Sequence, residues 1–169
     1  MEEKRAMTVD IRAFRDTLGC FPTGIAIMTT VNDAHGPVGV TVSSFTAAPL
    51  RPPIRLCRPV PGSRLLVDFR RCHNFAVNFL SETQRDLSNR FASKAEKPFD
   101  GVRFARSERG LPLFPGSLAY LECQVEALHP GGDHDIILGQ VIGFENPGDG
   151  RPLLYYRGGY RLLDAEAAV

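Results

Sequence analysis

Gly39-Val40-Thr41-Val42-Ser43-Ser44-Phe45, followed by Pro52-Pro53 and then by Ser63, is the stretch whose reading decides the fold. Val40 and Val42 alternate with Thr41 and Ser43, so an extended strand here has one apolar face and one face of hydroxyls. Surface strands usually show water long charged side chains. Small donors instead let a flat polar ligand lie close against the backbone. On spacing alone two readings stand, an edge strand wetted on its hydroxyl face or a strand that binds a ligand.

Working outward, Gly24 to Thr30 reads as a buried strand that enters this one through a hairpin-like turn, Asn32-Asp33-Ala34-His35-Gly36-Pro37. Upstream, Asp10 is placed to cap a short helix whose Ile11, Phe14 and Leu18 share a face, with Gly19 as its stop. Downstream, Ile54 to Cys57 is a third strand, and Ser63 caps a helix carrying Leu65, Leu66 and Phe69. Phe75 to Leu80 is a fourth strand. Ser81 and Gln84 then have the spacing of a capping box that opens a helix with Leu87 and Phe91. Residues 92 to 115 are loop-rich. Leu118 to Leu128 alternates, with Ala119, Leu121, Cys123 and Val125 on one face, and Ile136 to Phe144 alternates as well. Many short strands, few helices and no regular βαβ alternation predict a mainly β protein built on an antiparallel barrel.

With 169 residues the chain is long enough for one domain with a real core. A hydrophobic content of 43% and a charged content of 23% are those of an ordinary globule. A net charge of +1 gives no reason to expect nucleic acid or an anionic membrane as partner. No apolar run approaches the roughly 20 residues that span a bilayer, and Met1-Glu2-Glu3-Lys4-Arg5 lacks the apolar core of a signal peptide. The expectation is a cytoplasmic protein. Cys20, Cys57, Cys72 and Cys123 show no C-x-x-C spacing and are expected to be reduced thiols, Cys57 and Cys123 lying inside apolar strand-like runs. The chain has no G-x-G-x-x-G after a strand, no G-x-x-x-x-G-K-[ST] and no G-x-S-x-G, so neither a dinucleotide fingerprint, a phosphate loop nor a serine-hydrolase elbow is on offer.

The order Phe14 to Phe21, Thr23-Gly24, Gly39 to Phe45, Pro52-Pro53 and Gly132-Asp133-His134 resembles the flavin reductases that supply reduced flavin to two-component monooxygenases, a branch of the flavin-binding split-barrel proteins. The resemblance implies an antiparallel Greek-key split β-barrel with a few short flanking helices. It spans a domain over residues 11–163, with a flexible lead at 1–10 and a tail at 164–169. It implies FMN or FAD as flavin, NADH or NADPH as hydride donor, a homodimer, and a separate flavin-dependent monooxygenase as recipient. Two other readings remain open, a split-barrel flavin carrier without turnover and an FMN-dependent oxidase of the pyridoxamine-phosphate oxidase type.

The resemblance also distributes roles. Thr41, Val42, Ser43 and Ser44 would meet the flavin ring and ribityl chain. The turn from Cys57 and Arg58 to Ser63 and Arg64 would hold the flavin phosphate, since a helix N-terminus offers unsatisfied N–H groups and partial positive charge. A plain helix cap with solvated arginines fits the same residues, and the proline-rich Arg58-Pro59-Val60-Pro61-Gly62 departs from the polar run common in the family. Phe91, Ala92 and Ser93 would lie near the flavin, although Phe91 reads most simply as core. Tyr156, Arg157 and Tyr160 would wall the nicotinamide pocket, or else form a last strand packed on the barrel. His134 would position the nicotinamide, because hydride transfer needs stacking and orientation more than a protein acid or base. The alternative for His134 is a hydrogen-bonded loop histidine. No metal is expected, since Asp133 and His134 on a strand point to opposite faces.

Overall fold

The computed structural model describes residues 10–34, 36–46, 71–93, 97–131 and 135–163, together with the backbone of 55–57. Its elements are α1 (Ile11–Leu18), β1 (Thr23–Gly24), β2 (Ala26–Asn32), β3 (Gly36–Val42), β4 (Arg55–Cys57) and β5 (Asn74–Phe79). After a 3-10 turn at Glu82–Gln84 come α2 (Arg85–Ala92), β6 (Ala105–Arg106), β7 (Pro112–Leu113), β8 (Ala119–Pro130), β9 (Asp135–Glu145), β10 (Leu154–Tyr156) and β11 (Gly159–Arg161). Every described pairing is antiparallel.

The main sheet runs β3-β2-β5-β8-β9-β4. β3 and β4 follow one another in sequence yet occupy its two edges, the connectivity of a Greek key rather than a simple meander. One face of the sheet closes on an apolar core of Ala26, Met28, Val38, Val42, Phe75, Val77, Cys123 and Ile137. Gly139 lets that core close, because a Cβ there would stand 2.5 Å from the Phe75 ring. Burial pushes the Cys123 thiol up to about 12, with Glu122 adding to the effect, so Cys123 serves as the small hydrophobe its surroundings require. The other face is covered by α2 and the segment from Phe99 to Phe114, packing Phe91, Phe99, Phe114, Ile27 and Leu153 together.

The local signals mostly hold. Asp10 accepts from the backbone N–H groups of Arg12 at 2.9 Å and Ala13 at 3.3 Å, capping α1. Ser81 and Gln84 form the capping box, with the Ser81 N–H donating to Gln84 Oε1 at 3.0 Å. The β2–β3 hairpin pairs Asn32 with Gly36, whose φ of 81° needs glycine.

Three expectations are corrected. The strand expected over Gly24–Thr30 is broken at Ile25, which accepts from Leu80 N–H at 3.0 Å and donates to the Leu153 carbonyl at 3.0 Å. There the chain passes from the small sheet β1-β10-β11 to the main one. The strand expected over Gly39–Phe45 ends at Val42, which pairs with Ala26, the first residue of β2. The alternation of β8 holds through Leu121, Cys123 and Val125, which pack on the same core, whereas the one expected over Ile136–Phe144 is interrupted on β9, where Glu122 pairs with Gly143 and Cys123 with Val141. Gly19 stops α1 as expected, with φ −62° and its N–H turned back to the Arg15 carbonyl. The helix expected from Ser63 to Phe69, the Pro52-Pro53 turn and Ile54 lie outside the described residues.

Candidate functional site

The hydroxyl face of β3 does not meet solvent along its whole length; α2 lies on it. Gly39 admits the helix, since a Cβ at that position would stand 2.8 Å from the Phe91 ring. Two residues on, Thr41 Oγ1 donates to the Ser88 carbonyl at 2.7 Å. α2 therefore runs antiparallel to β3, with Ala92 and Ser93 toward the β2–β3 turn and the start of α2 toward Ser43 and Ser44. The Thr41 proton is committed within the fold, which corrects the expectation of a donor presented to a ligand. Val42 turns its side chain into the barrel core, so a contact with a ligand there would be made through its main chain.

Ser43 and Ser44 are exposed just past the end of the strand. The chain after them is anchored by Phe45, whose ring meets Phe79 edge-on at 4.9 Å. This leaves two small polar residues at a strand end that is held on both sides, a cradle with no bulky side chain of its own.

Phe91 is 2% exposed and packs on Phe99 and Phe114, with ring centroids 4.9 and 5.1 Å away. It is a core residue, so what that segment offers a ligand is the exposed Ala92 and Ser93, the latter already donating from Oγ to the Arg90 carbonyl at 2.7 Å.

The C-terminal hairpin reaches α2 through Tyr160. Its hydroxyl lies 2.8 Å from Ser88 Oγ and donates to Asn89 Oδ1 at 3.0 Å, while the Arg85 guanidinium sits 5.3 Å from the ring centroid. Thr41 and Tyr160, 119 positions apart in sequence, are thus brought to a single residue of α2. Arg157 and Gly158 form the turn between β10 and β11, with φ of 47° and 75°, the two positive values of a type I′ hairpin. The Arg157 N–H donates to the Gly19 carbonyl at 2.9 Å, its guanidinium lies 5.4 Å from the Tyr156 ring centroid, and Nη2 reaches Cys20 Sγ at 3.9 Å. The hydrogen bond to Cys20, then the charge of Tyr156, push the Arg157 pKa up. Arg157 and Tyr156 therefore face the end of α1, apart from the Thr41–Ser88–Tyr160 cluster.

Cys57 pairs with Ile136, which sets the end of β4 beside the start of β9. Arg58, Ser63, Arg64 and His134 lie outside the described residues, as does the side chain of Cys57. Ser88, Asn89 and Arg85 were not singled out from the sequence. The signal was present, since positions 85, 88 and 89 form a polar stripe at i, i+3 and i+4 on α2 beside its apolar face. Two surface depressions of about 340 and 280 Å³ lie elsewhere, one beside Ser81, Tyr120 and Arg151, the other beside His73, Arg106 and Arg109. Neither is lined by a residue of this cluster, so volume alone does not mark the chemistry here.

The fold is an antiparallel split barrel in which β3 ends in two exposed serines and the C-terminal hairpin is tied to one helix. Known proteins narrow this. Residues 18–164 match the family model described as Flavin reductase like domain. The reductase subunit HsaB of a flavin-dependent monooxygenase from Mycobacterium tuberculosis is 44% identical over 160 residues, covering 94% of this chain and 85% of that one. The FMN reductase (NADH) SmoA of Agrobacterium fabrum is 38% identical over 149 residues, covering 88% of this chain and 84% of that one. Among solved structures, the NADH:FAD oxidoreductase SgcE6 of Streptomyces globisporus C-1027, in complex with NAD and FAD fragments, superposes with a TM-score of 0.87 at 32% identity, covering 94% and 96% of the two chains. The chain belongs to the flavin reductase-like domain family.

Proposed function

We propose that this protein is an NAD(P)H-dependent flavin reductase that reduces FMN or FAD and releases the reduced flavin to a separate flavin-dependent monooxygenase. The observation that carries the reading is the 44% identity to a monooxygenase reductase subunit, sustained over 94% of the chain. Residues 11–163 form the working domain, with residues 1–10 and 164–169 as flanks.

The residues present fit a flavin. Its ring and ribityl chain need small polar neighbours and close access to backbone, which Ser43, Ser44 and the main chain of Thr41 and Val42 supply at the anchored end of β3. When bound, the flavin accepts a hydride from the reduced nicotinamide. Arg58, Ser63 and Arg64 hold its phosphate, Cys57 marks the approach to them, and Ala92 and Ser93 with the Phe91 main chain border the same side. His134 orients the nicotinamide and Tyr160 forms the wall against which it stacks, with Tyr156 and Arg157 available to the rest of the nucleotide from the turn of the same hairpin. No protein group is asked to move a proton in this account; the chain's contribution is to bring two planar rings into contact in one orientation.

The protein acts as a homodimer. An eight-residue helix is far below the roughly 12–15 residues at which isolated helices become even marginal in water, yet α1 has no buried residue within its own chain. A second copy covering Ile11, Phe14 and Leu18 supplies the packing it lacks. Among the described residues no helix is long and apolar enough to cross a membrane.

The test is NADH and NADPH oxidation by the purified chain with FMN, FAD or no flavin. Oxidation that requires added flavin is expected. Protein that binds flavin but oxidises neither nucleotide would turn the reading to a carrier, and turnover of a substrate of its own with tightly held FMN would turn it to an oxidase.

A further inference from the structure

We propose that Ser88 is a positioning residue that sets the C-terminal hairpin against the flavin-binding strand and, through Tyr160, governs how the reduced nicotinamide is held; this rests on the flavin reductase reading and deepens it.

The hairpin needs such a tether. β10 and β11 are three residues each; β10 is anchored by β1 and, just before it, by the backbone bonds of Leu153 with Leu80 and Ile25, whereas among the described residues β11 pairs with β10 alone. The outer strand β11 therefore depends on ties from its turn and its side chains for its position. At its tip the tie is the Arg157 N–H to the Gly19 carbonyl. At its base the tie is Tyr160, whose single hydroxyl proton goes to Asn89 Oδ1, so that Ser88 Oγ donates into the phenolic oxygen at 2.8 Å.

Ser88 is 0% exposed and so touches neither cofactor. Its carbonyl holds Thr41 on β3 and its hydroxyl holds Tyr160 on β11. One residue thus fixes the spacing between the strand assigned to the flavin and the wall assigned to the nicotinamide. The polarity of the pair is also one-sided. Replacing the serine hydroxyl removes one of the two hydrogen bonds at Tyr160 and leaves the one to Asn89, whereas the link to β3 runs through the backbone and survives the replacement.

The experiment uses the full chain with saturating FMN or FAD, and compares Ser88→Ala, Tyr160→Phe and the double variant. NADH kinetics, flavin affinity by fluorescence quenching and Tm are read for each. Loss of the bond to Tyr160 is expected to raise the KM for NADH about 3–10-fold in Ser88→Ala, with kcat moving less than KM and the flavin Kd within about twofold. Adding Ser88→Ala to Tyr160→Phe should give no further rise, because both remove the same bond. An unchanged KM in both single variants, with only Tm lowered, makes Ser88 a packing residue and overturns the proposal. Equal rises in flavin Kd and NADH KM overturn it too, since they describe general loosening. Should Ser88→Ala fail to fold, Tyr160→Phe, which loses the bonds to both Ser88 and Asn89, is compared with Asn89→Ala, which loses only the second: a larger KM rise in Tyr160→Phe supports the proposal, and equal rises overturn it. Failure of the underlying reading is distinguishable, for it appears in the parent chain as no flavin-dependent NADH oxidation.

Discussion

α1 and α2 are both eight residues long and both carry apolar side chains at helical spacing. α2 buries Phe91 to 2% exposure against Phe99 and Phe114, while α1 leaves Ile11, Phe14 and Leu18 at 68, 51 and 57%. The difference lies in what each finds to pack on. α2 meets a sheet face prepared for it, where Gly39 removes the one Cβ that would collide with the Phe91 ring and Thr41 supplies a hydrogen bond to its backbone. The end of α1 meets the hairpin turn at Arg157 through polar contacts from Gly19 and Cys20. Periodicity states that a helix has an apolar face; it does not state which chain covers it.

The contrast is broken most sharply at Phe91. Phe91→Ala removes the centre of the outer core and is expected to cost about 3–5 kcal/mol in urea denaturation. A loss below about 1 kcal/mol would show that α2 is no better held than α1.

At α1 the same kind of change should act on assembly instead. Phe14→Asp with Leu18→Asp is expected to leave the denaturation midpoint of the monomer nearly unmoved while weakening the dimer at least tenfold, about 1.4 kcal/mol, by sedimentation velocity. A dimer that persists unchanged would remove α1 from the interface.

The smallest effect is expected at Thr41. Thr41→Val keeps the shape and drops the bond to Ser88, for a loss of about 1 kcal/mol in stability. Stability equal to the parent would mean that α2 is seated by its rings alone.

These residues also mark how far the sequence carries. The alternation of β3, the caps at Asp10 and Ser81, and the turn at Asn32 to Gly36 are local, and each was legible because its cause lies within a few residues. The end of β3 at Val42 was not, because it is decided by where β2 begins on the far side of a hairpin. Nor was the fate of the Thr41 hydroxyl, whose partner is 47 positions away, or that of Tyr160, whose partner Ser88 is 72 away. The spacing within β3 separated its faces correctly and left open what each would meet. Family resemblance supplied the flavin, and the geometry then divided the named residues into those presented at the strand end, Ser43 and Ser44, and those taken into the fold, Thr41, Val42 and Phe91.

The central claim is that the chain brings reduced nicotinamide and flavin together and lets the reduced flavin leave. Anaerobic mixing of the protein with NADH and excess FMN or FAD, followed by the bleaching of oxidised flavin, tests it most directly. The account predicts catalytic bleaching, one flavin reduced for each NADH consumed, continuing well past the amount of protein present. Bleaching that stops at the protein concentration, or that proceeds no faster than without protein, would contradict it.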